Sequence, residues 1–322
     1  MLLLSFVLFF ALLALPALPS IFEIVRPKDD GRLPIAELYV RDARWFGTSF
    51  RAKLKPFVAA AQGSADSHAE LRMRTDEDVH WATDLHIPAS KRLHGIGLGQ
   101  RITVGHGAGI RDAYALEDLR VENGVVARTL TSDNTLRIGS SARILRWIDA
   151  DGEIDVGPHS DLGVSASGGS RVTLREQVRF ERVWGSPVAS ISATSPFPLG
   201  AREATVVDAS TPRVNGSVIV YGPVRVAAGT ELPMHLKVHG PIDIEAGVRV
   251  DGNIIARGDV TLASGVSVGG HIFAEGDVRL GPGTRISREG VAKTVYATGH
   301  VLMAGDVEVF GWIVSEDGGE TL

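Results

Sequence analysis

The stretch Gly258–Gly283, GDVTLASGVSVGGHIFAEGDVRLGPG, nearly repeats itself, because Gly258-Asp259-Val260 returns as Gly276-Asp277-Val278 eighteen residues later. Around it, aliphatic residues in i, i+2 pairs recur every six residues from Val218 to Ile286. Such a pair places both side chains on one face of a strand and turns the residue between them to the other face. The spacing therefore predicts three short strands and three turns in each eighteen-residue unit.

Stacked units of this kind form a solenoid. Adjacent coils lie about 4.8 Å apart, the spacing of neighbouring strands, so we expect Val260 to lie between Ile242 and Val278. A fixed short period is typical of repeat folds, and an ordinary sandwich or barrel would not need twelve successive pairs in phase. We predict an all-β, three-sided β-helix with about 18 residues per coil. Because both inward residues are often large, as in Val260 and Leu262, the pattern favours a right-handed coil.

The same pattern divides the chain into segments. Looser pairs, such as Leu136/Ile138 and Ile154/Val156, predict a less regular β-helical half over residues 93–186. A Pro-, Ser- and Thr-rich stretch at 187–213 predicts a linker or insertion. Residues 214–315 are predicted to form the regular β-helix, with a short insertion at 287–297, and residues 316–322 an acidic tail.

The N-terminus predicts a membrane anchor over residues 1–22. Leu2–Phe22 carries no charge, and about twenty apolar residues can cross a bilayer as a helix. The alternative is a signal peptide, which needs a basic start and a small-residue cleavage site, but Pro16 and Pro19 crowd that region. Since the basic residues follow the span and none precede it, the positive-inside rule places the body in the cytoplasm, at a bacterial inner membrane.

Residues 23–92 are predicted to form a juxtamembrane or linker segment. Its mixture of apolar, aromatic and basic residues indicates either an amphipathic stretch on anionic lipid or a short helix or loop packed on the body. The candidate lipid contacts are the basic residues Arg41, Arg44, Arg51, Lys53 and Lys55.

The ends of a solenoid carry unpaired backbone groups that can pair with another chain. Capping normally needs a polar helix or loop, whereas only SEDGGETL follows the last predicted coil. The segment before it, VFGWIV, contains Phe310 and Trp312. We predict that these two residues form a polymer interface, since head-to-tail contacts that do not close give filaments.

The repeat GDVTLASGVSVGGHIFAEGDVRLGPGTRI resembles the bactofilins, bacterial polymer-forming cytoskeletal proteins, over roughly residues 214–314. The resemblance implies a right-handed β-helix, polymerisation through the helix ends without nucleotide, and a membrane-bound scaffold for envelope-building enzymes. The additional half at 93–186 departs from the family's single compact β-helix. It would either cap one end or serve as a separate module for binding a partner.

Two enzyme classes are the alternatives. A hexapeptide-type acyltransferase would use a histidine such as His271 or His300 as general base, but a base needs a cleft and an orienting partner, and the sequence indicates neither. An exported glycan-active β-helix enzyme would need a cleaved signal peptide and paired acids. The acids at 149–155 (IDADGEIDVG) are close in sequence, although polar-out alternation explains them equally well.

The remaining composition excludes several other functions. Without cysteine, the chain has no disulfides, cysteine-ligated zinc or cysteine catalysis, and its net charge of −5 argues against nucleic-acid binding. The histidines between His80 and His106 lack a compact metal-ligand spacing, and DADGEID only loosely resembles a calcium loop. We therefore expect a non-enzymatic scaffold without metal or cofactor, with itself, the cytoplasmic membrane and envelope or polysaccharide proteins as partners.

Overall fold

A computed structural model describes residues 42–63, 68–72, 78–200 and 203–322. The predicted anchor over residues 1–22 and the candidate lipid contact Arg41 lie outside the described residues. Within those residues, the helix present is too polar or too short to span a membrane. Arg44–Leu322 forms one compact unit.

The all-β solenoid predicted from the repeat is confirmed. The strands stack into about 13 turns, and a single helix, α1 (Trp45–Gln62), precedes them in the described part of the chain. The turns form two solenoids joined by a linker at residues 191–204.

The first solenoid, residues 78–190, has coils of 17 or 18 residues, as in the ladder Leu119–Leu136–Ile154–Val172. Its strands, with the preceding β1, are β1 (His68–Arg72), β2 (Asp78–Ile87), β3 (Arg92–Val104), β4 (Gly109–Ala115), β5 (Leu119–Val121), β6 (Val126–Ser132), β7 (Leu136–Ile138), β8 (Arg143–Ala150), β9 (Ile154–Val156), β10 (Ser165–Gly168), β11 (Val172–Leu174) and β12 (Arg179–Ser190).

The second solenoid, residues 205–321, keeps a strict eighteen-residue register from Val218 to Ile272. Its strands are β13 (Thr205–Val207), β14 (Ser217–Tyr221), β15 (Val224–Val226), β16 (Glu231–Leu232), β17 (His235–His239), β18 (Ile242–Ile244), β19 (Arg249–Val250), β20 (Ile254–Ala256), β21 (Val260–Leu262), β22 (Ser267–Val268), β23 (Ile272–Ala274), β24 (Val278–Leu280), β25 (Arg285–Ile286), β26 (Lys293–Ala297), β27 (Val301–Met303) and β28 (Glu308–Thr321). The insertion predicted at 287–297 lengthens one coil, since Ile272 pairs with Val295, 23 residues later.

The core is a set of aliphatic ladders inside the coils. Val260 lies between Ile242 and Val278 in register, and all three are fully buried. At roughly 25 cal/mol per Å² of apolar surface removed from water, such ladders supply most of the stabilisation of the fold. The residues between the paired positions point outward and form the outer sides of the solenoid, except where another segment of the chain covers them.

The two solenoids meet at their C-terminal ends. Strand β28 closes the last coil of the second solenoid and pairs antiparallel with β12, from Arg179 opposite Glu320 to Ala189 opposite Glu308. The other strand pairs of the described residues are parallel, except that β1 pairs antiparallel with β2. This β12–β28 junction turns the second solenoid around relative to the first.

The linker runs back along the second solenoid to reach its first coil. The Gly305 amide donates to the Ala193 carbonyl at 2.8 Å near the junction. Farther along, the Gly200 amide donates to Asp243 at 2.9 Å and Arg225 donates to the Gly200 carbonyl at 2.8 Å. One outer side of the second solenoid is therefore covered by the linker.

Several predicted boundaries were wrong. Strand β2 begins at Asp78, inside the segment predicted to be a linker up to 92, and β12 extends to Ser190. The first coil of the second solenoid starts at Thr205, before 214. The predicted acidic tail belongs to β28 as far as Thr321, because β12 and β27 supply the backbone partners that hold it.

Candidate assembly and docking surfaces

Helix α1 packs on one outer side of the first solenoid, which we call the α1 side. Its inward stripe contains Gly47, Leu54 and Ala61, the spacing of one helical face. Together with Phe50 and Phe57 this stripe forms a second core against outward residues of the coils. Those outward residues include Trp81, Leu98 and Tyr114.

Gly47 is required where α1 comes closest to the coils. A Cβ atom there would lie 2.2 Å from the Asp149 Cγ atom, well inside van der Waals contact. Phe46 and Phe50 flank this point, and their ring centroids lie 6.1 and 5.5 Å from that of Trp147. The helix therefore begins beside strand β8.

A cluster of ion pairs fixes the same end of α1. Arg44 Nη2 lies 2.7 Å from Asp149 Oδ1 and also contacts Asp151, while Arg51 Nε lies 2.6 Å from Asp133 Oδ1 and also contacts Asp149. Asp149 is fully buried, and a buried carboxylate needs such partners. Burial alone would lower the pKa of Arg44, but its hydrogen bonds to Asp149 and Asp151 outweigh this effect and raise it.

Two of the predicted lipid contacts are therefore wrong. Arg44 and Arg51 point onto the solenoid and neutralise its acids instead of facing a bilayer, because Asp149 would otherwise be a buried unpaired charge. Lys53 and Lys55 are exposed on the outer surface of α1, and their contact with lipid stays a prediction.

Phe310 and Trp312 lie at an interface, but this interface is inside the chain. Phe310 is buried, with the Arg285 guanidinium carbon 5.1 Å from its ring centroid. Trp312 stands opposite Trp184 of β12, with ring centroids 5.3 Å apart. The last coil is thus covered by the first solenoid, and the prediction that these two residues form an exposed polymer end is wrong.

The exposed coil end is the first coil of the second solenoid. Among the described residues, β13 pairs only with β15, and β14 pairs with β17 and, at Ser217 alone, with Val214. The outer edge of β13 and that of β14 beyond Ser217 therefore lack a β partner there. Large apolar side chains accompany these edges: Val206 is 62% and Tyr221 78% exposed, and Val214 and Ile219 are also exposed. At the outer end of the first solenoid, in contrast, β1 pairs with residues 78–82 of β2.

The histidines at the corners accept hydrogen bonds from the next coil. His235 Nδ1 accepts the Asn253 amide at 2.9 Å, Asn253 Oδ1 accepts the His271 amide at 2.9 Å, and His271 Nδ1 accepts the Thr294 amide at 3.1 Å. Burial, together with the nearby charge of Lys293, lowers the pKa of His271. His271 therefore holds adjacent coils together as a neutral acceptor.

The acids of IDADGEIDVG separate between two sides of the coil. Asp149 and Asp151 receive α1, whereas Asp155 pairs with Arg175 at 3.2 Å on the next side. In the described ranges, no group of three histidines or acids is arranged to hold a metal ion.

The amino-acid sequence contains a signal for the α1 side that the repeat pattern alone does not show. On that side, Leu98 and Tyr114 in one outward column and Trp147 in the neighbouring one stand where solvent-facing residues are expected. Large apolar residues at outward positions indicate a covering element. Arg44 and Arg51, which the sequence predicts to face lipid, pair with the acid Asp149 of β8 instead.

The second solenoid carries a similar outward column, which we call the aromatic side. It is the outer surface of β14, β17, β20, β23 and β26, continued by residues 312–314. Half-buried Ile255, Phe273, Tyr296 and Val314 follow one another in register, and the ring centroids of Phe273 and Tyr296 lie 6.2 Å apart.

Comparison of the chain with protein-family models, curated proteins and solved structures gives no significant match.

Proposed function

We propose that this chain is a non-enzymatic bacterial scaffold of the bactofilin type. It is anchored in the cytoplasmic membrane by residues 1–22, with the body in the cytoplasm, and assembles end to end without nucleotide. The assembled bodies localise envelope or polysaccharide machinery along the membrane.

The observation that carries this proposal is the first coil of the second solenoid, where the outer edges of β13 and most of β14 have no β partner among the described residues. Edge strands with free N–H and C=O groups pair readily with another chain, and natural proteins usually blunt them with charge or cover them. Here β13 and β14 instead carry Val206, Ile219 and Tyr221, all exposed. A second copy would bury these side chains and satisfy the backbone groups at the same time.

The β12–β28 junction supports this mode of contact. It is an end-to-end contact between two solenoids, made by an antiparallel strand pair and a pair of tryptophan rings. The same geometry between two copies at their β13–β14 ends would be self-complementary, as a two-fold interface requires. A polymer needs a second contact, which we place at the outer end of the first solenoid, where β1 is the outermost described strand.

The membrane part of the proposal is supported by the sequence. The uncharged run Leu2–Phe22 is long enough to cross a bilayer, and the basic residues follow it. A reporter fused after Leu322 tests this directly: activity of a cytoplasmic reporter is expected, and activity of a periplasmic reporter would contradict the proposed orientation.

Assembly is tested by negative-stain microscopy of the full chain in detergent, without nucleotide. We expect elongated assemblies of the unsubstituted chain and much shorter ones of the double variant Ile219→Lys, Tyr221→Lys. In that variant, stacked copies would place like charges opposite each other. Ser267→Lys, on an outward position in the middle of the solenoid, is the matched control and is expected to assemble normally. Uniform single bodies in the unsubstituted chain would overturn the proposal.

A further inference from the structure

The α1 side and the aromatic side form one continuous surface. Across the junction, Trp184 stands opposite Trp312 and Arg182 opposite Val314. On one flank Trp184 follows Ser167 and Asp149 in register, and on the other Trp312 follows Thr294. The outward columns of the two solenoids thus run into each other along one side of the body.

This surface differs in composition from the other outer sides of the second solenoid. The outward residues on the strands β16, β19, β22 and β25 are Glu231, Arg249, Ser267 and Arg285, which are polar. Another side is covered by the linker at Arg225 and Asp243. Of the sides that the structure describes, the aromatic side presents a column of apolar residues without a covering segment.

The charges around this apolar column are mixed. Arg182, Lys237, Arg257 and Lys293 lie on it or at its rim, together with the acids Glu275 and Glu316 and, beside them, the exposed acids Glu181 and Asp317. Arg257 lies 3.9 Å from Glu275, and Tyr296 donates to Glu316. The surface therefore offers four basic side chains next to the apolar column, on a chain whose formal net charge is −5.

The α1 end of the surface continues the same composition. Trp45 is 58% and Phe46 45% exposed, and Lys53 and Lys55 are exposed on the same helix. Trp and Tyr rings with nearby Lys and Arg are the side chains that proteins place at the headgroup level of a bilayer, and juxtamembrane basic residues bind anionic lipid. The chain enters the body through Arg44 at the start of α1, so the segment that follows the proposed anchor joins the body on this surface.

We propose that this surface, from α1 through Trp184 and Trp312 to Phe273 and Lys237, lies flat against an anionic lipid bilayer. The proposal rests on the proposed membrane anchoring and adds that the body itself docks along its length. The apolar column contacts the headgroup and upper acyl region, while the basic residues pair with lipid phosphates. The polar side at Ser267 faces away from the bilayer.

The absence of cysteine from the sequence allows a direct test. Full-length Thr294→Cys, on the aromatic side, and Ser267→Cys, on the polar side, are matched conservative substitutions at half-buried outward positions of neighbouring coils. Each is labelled with bimane and reconstituted into phosphatidylglycerol-containing vesicles that carry a nitroxide on the lipid. We expect strong quenching of the label at 294 and little at 267.

Charge dependence provides the second readout. In Lys237→Glu/Lys293→Glu we expect the fraction of docked bodies, measured by quenching at 294, to fall at least about fivefold, since each basic residue near an anionic surface contributes on this scale. Pure phosphatidylcholine vesicles or high salt should have the same effect. Vesicle flotation of the same samples reports anchoring independently of the labels.

The outcomes are distinct. If the protein floats with the vesicles but quenching is equally weak at positions 294 and 267, the protein is anchored and its body is not docked. This result overturns the proposal and leaves the proposed function intact. Chain that does not float contradicts the anchoring and the docking with it. A label at 294 that is shielded from aqueous iodide but not quenched by lipid would mean that protein covers this side, which also overturns the proposal.

Discussion

Trp184 and Trp312 face each other across the β12–β28 junction, with ring centroids 5.3 Å apart and planes inclined at 58°. One ring belongs to the last coil of the first solenoid and the other to the last coil of the second. Their contact joins the two halves at the point where the strand direction reverses.

Truncation of this ring pair should show a coupling energy. Trp184→Ala and Trp312→Ala are each expected to destabilise the junction, and the double variant by less than the sum, with a difference of about 0.5–1.5 kcal/mol. Hydrogen exchange of the β12 and β28 amides measures the opening free energy. Trp45→Ala, exposed on α1, serves as control, and strictly additive single effects would contradict a direct ring contact.

Removal of the Asp149 charge should release α1. In Asp149→Asn the guanidinium groups of Arg44 and Arg51 lose their buried counter-charge. We expect the free energy of opening α1 to fall by about 2–4 kcal/mol. This is less than the loss for a fully buried ion pair, because the Arg44 side chain is 23% exposed. The control Asp151→Asn affects a side chain that is 46% exposed, so a cost of about 1 kcal/mol or less is expected. Proteolysis rates within Trp45–Gln62 give both values, and equal effects would argue against this ranking.

Gly47→Ala should weaken the docking of α1 although it favours the helix itself. Alanine raises helix propensity by about 1 kcal/mol relative to glycine, but its Cβ would collide with Asp149. We expect faster proteolysis of the α1 segment, whereas Thr48→Ala, at an exposed position, should leave it unchanged or slower. A more protected helix in Gly47→Ala would show that α1 does not approach the coil as closely as described.

Acid should destabilise the second solenoid through His271. Its folded-state pKa is lowered by burial and by Lys293, so below about pH 6.5 the unfolded imidazole takes up a proton that the folded one resists. Stability is therefore full above this pH and falls as the pH drops through the window between the unfolded and folded pKa values.

The matched variant for this effect is His271→Asn. Asn253, one coil earlier, already accepts a hydrogen bond from the His271 backbone amide with its side-chain oxygen. An asparagine at position 271 can therefore accept a hydrogen bond from the Thr294 amide without titrating. Thermal unfolding between pH 8 and pH 5 should show a smaller loss of Tm in His271→Asn than in the unsubstituted chain. An unchanged pH dependence would assign the acid sensitivity to other groups.

The inward positions of the fold were predictable from the sequence, and the outward covering elements were not. The period of Val260, Leu262 and their equivalents indicates only which side chains enter the core, because each coil fills the same inward positions with aliphatic residues. The boundary of the first solenoid was missed because Trp81 in β2 is outward yet buried under α1, which removes the alternation that marks a strand.

The candidate assembly site was misplaced for a related reason. The sequence predicts that Phe310 and Trp312 contact another chain, whereas Trp312 faces Trp184 of the same chain. A periodic pattern contains no information on whether the partner of a coil end belongs to the same chain. The reversal at β12–β28 depends on contacts such as the one between the Thr321 hydroxyl and the Arg175 carbonyl, which are far apart in sequence and outside any repeat.

The reversed junction also sets the order in which the chain can fold during synthesis. The first solenoid is complete at Ser190, but the free edge of its last coil receives its partner only when β28 has emerged, after the linker and the whole second solenoid. Contacts between such distant segments form slowly, and an exposed strand edge in the interval invites pairing with other nascent chains. The step most exposed to misassembly is therefore the closure of β28 on β12, and not the winding of either solenoid.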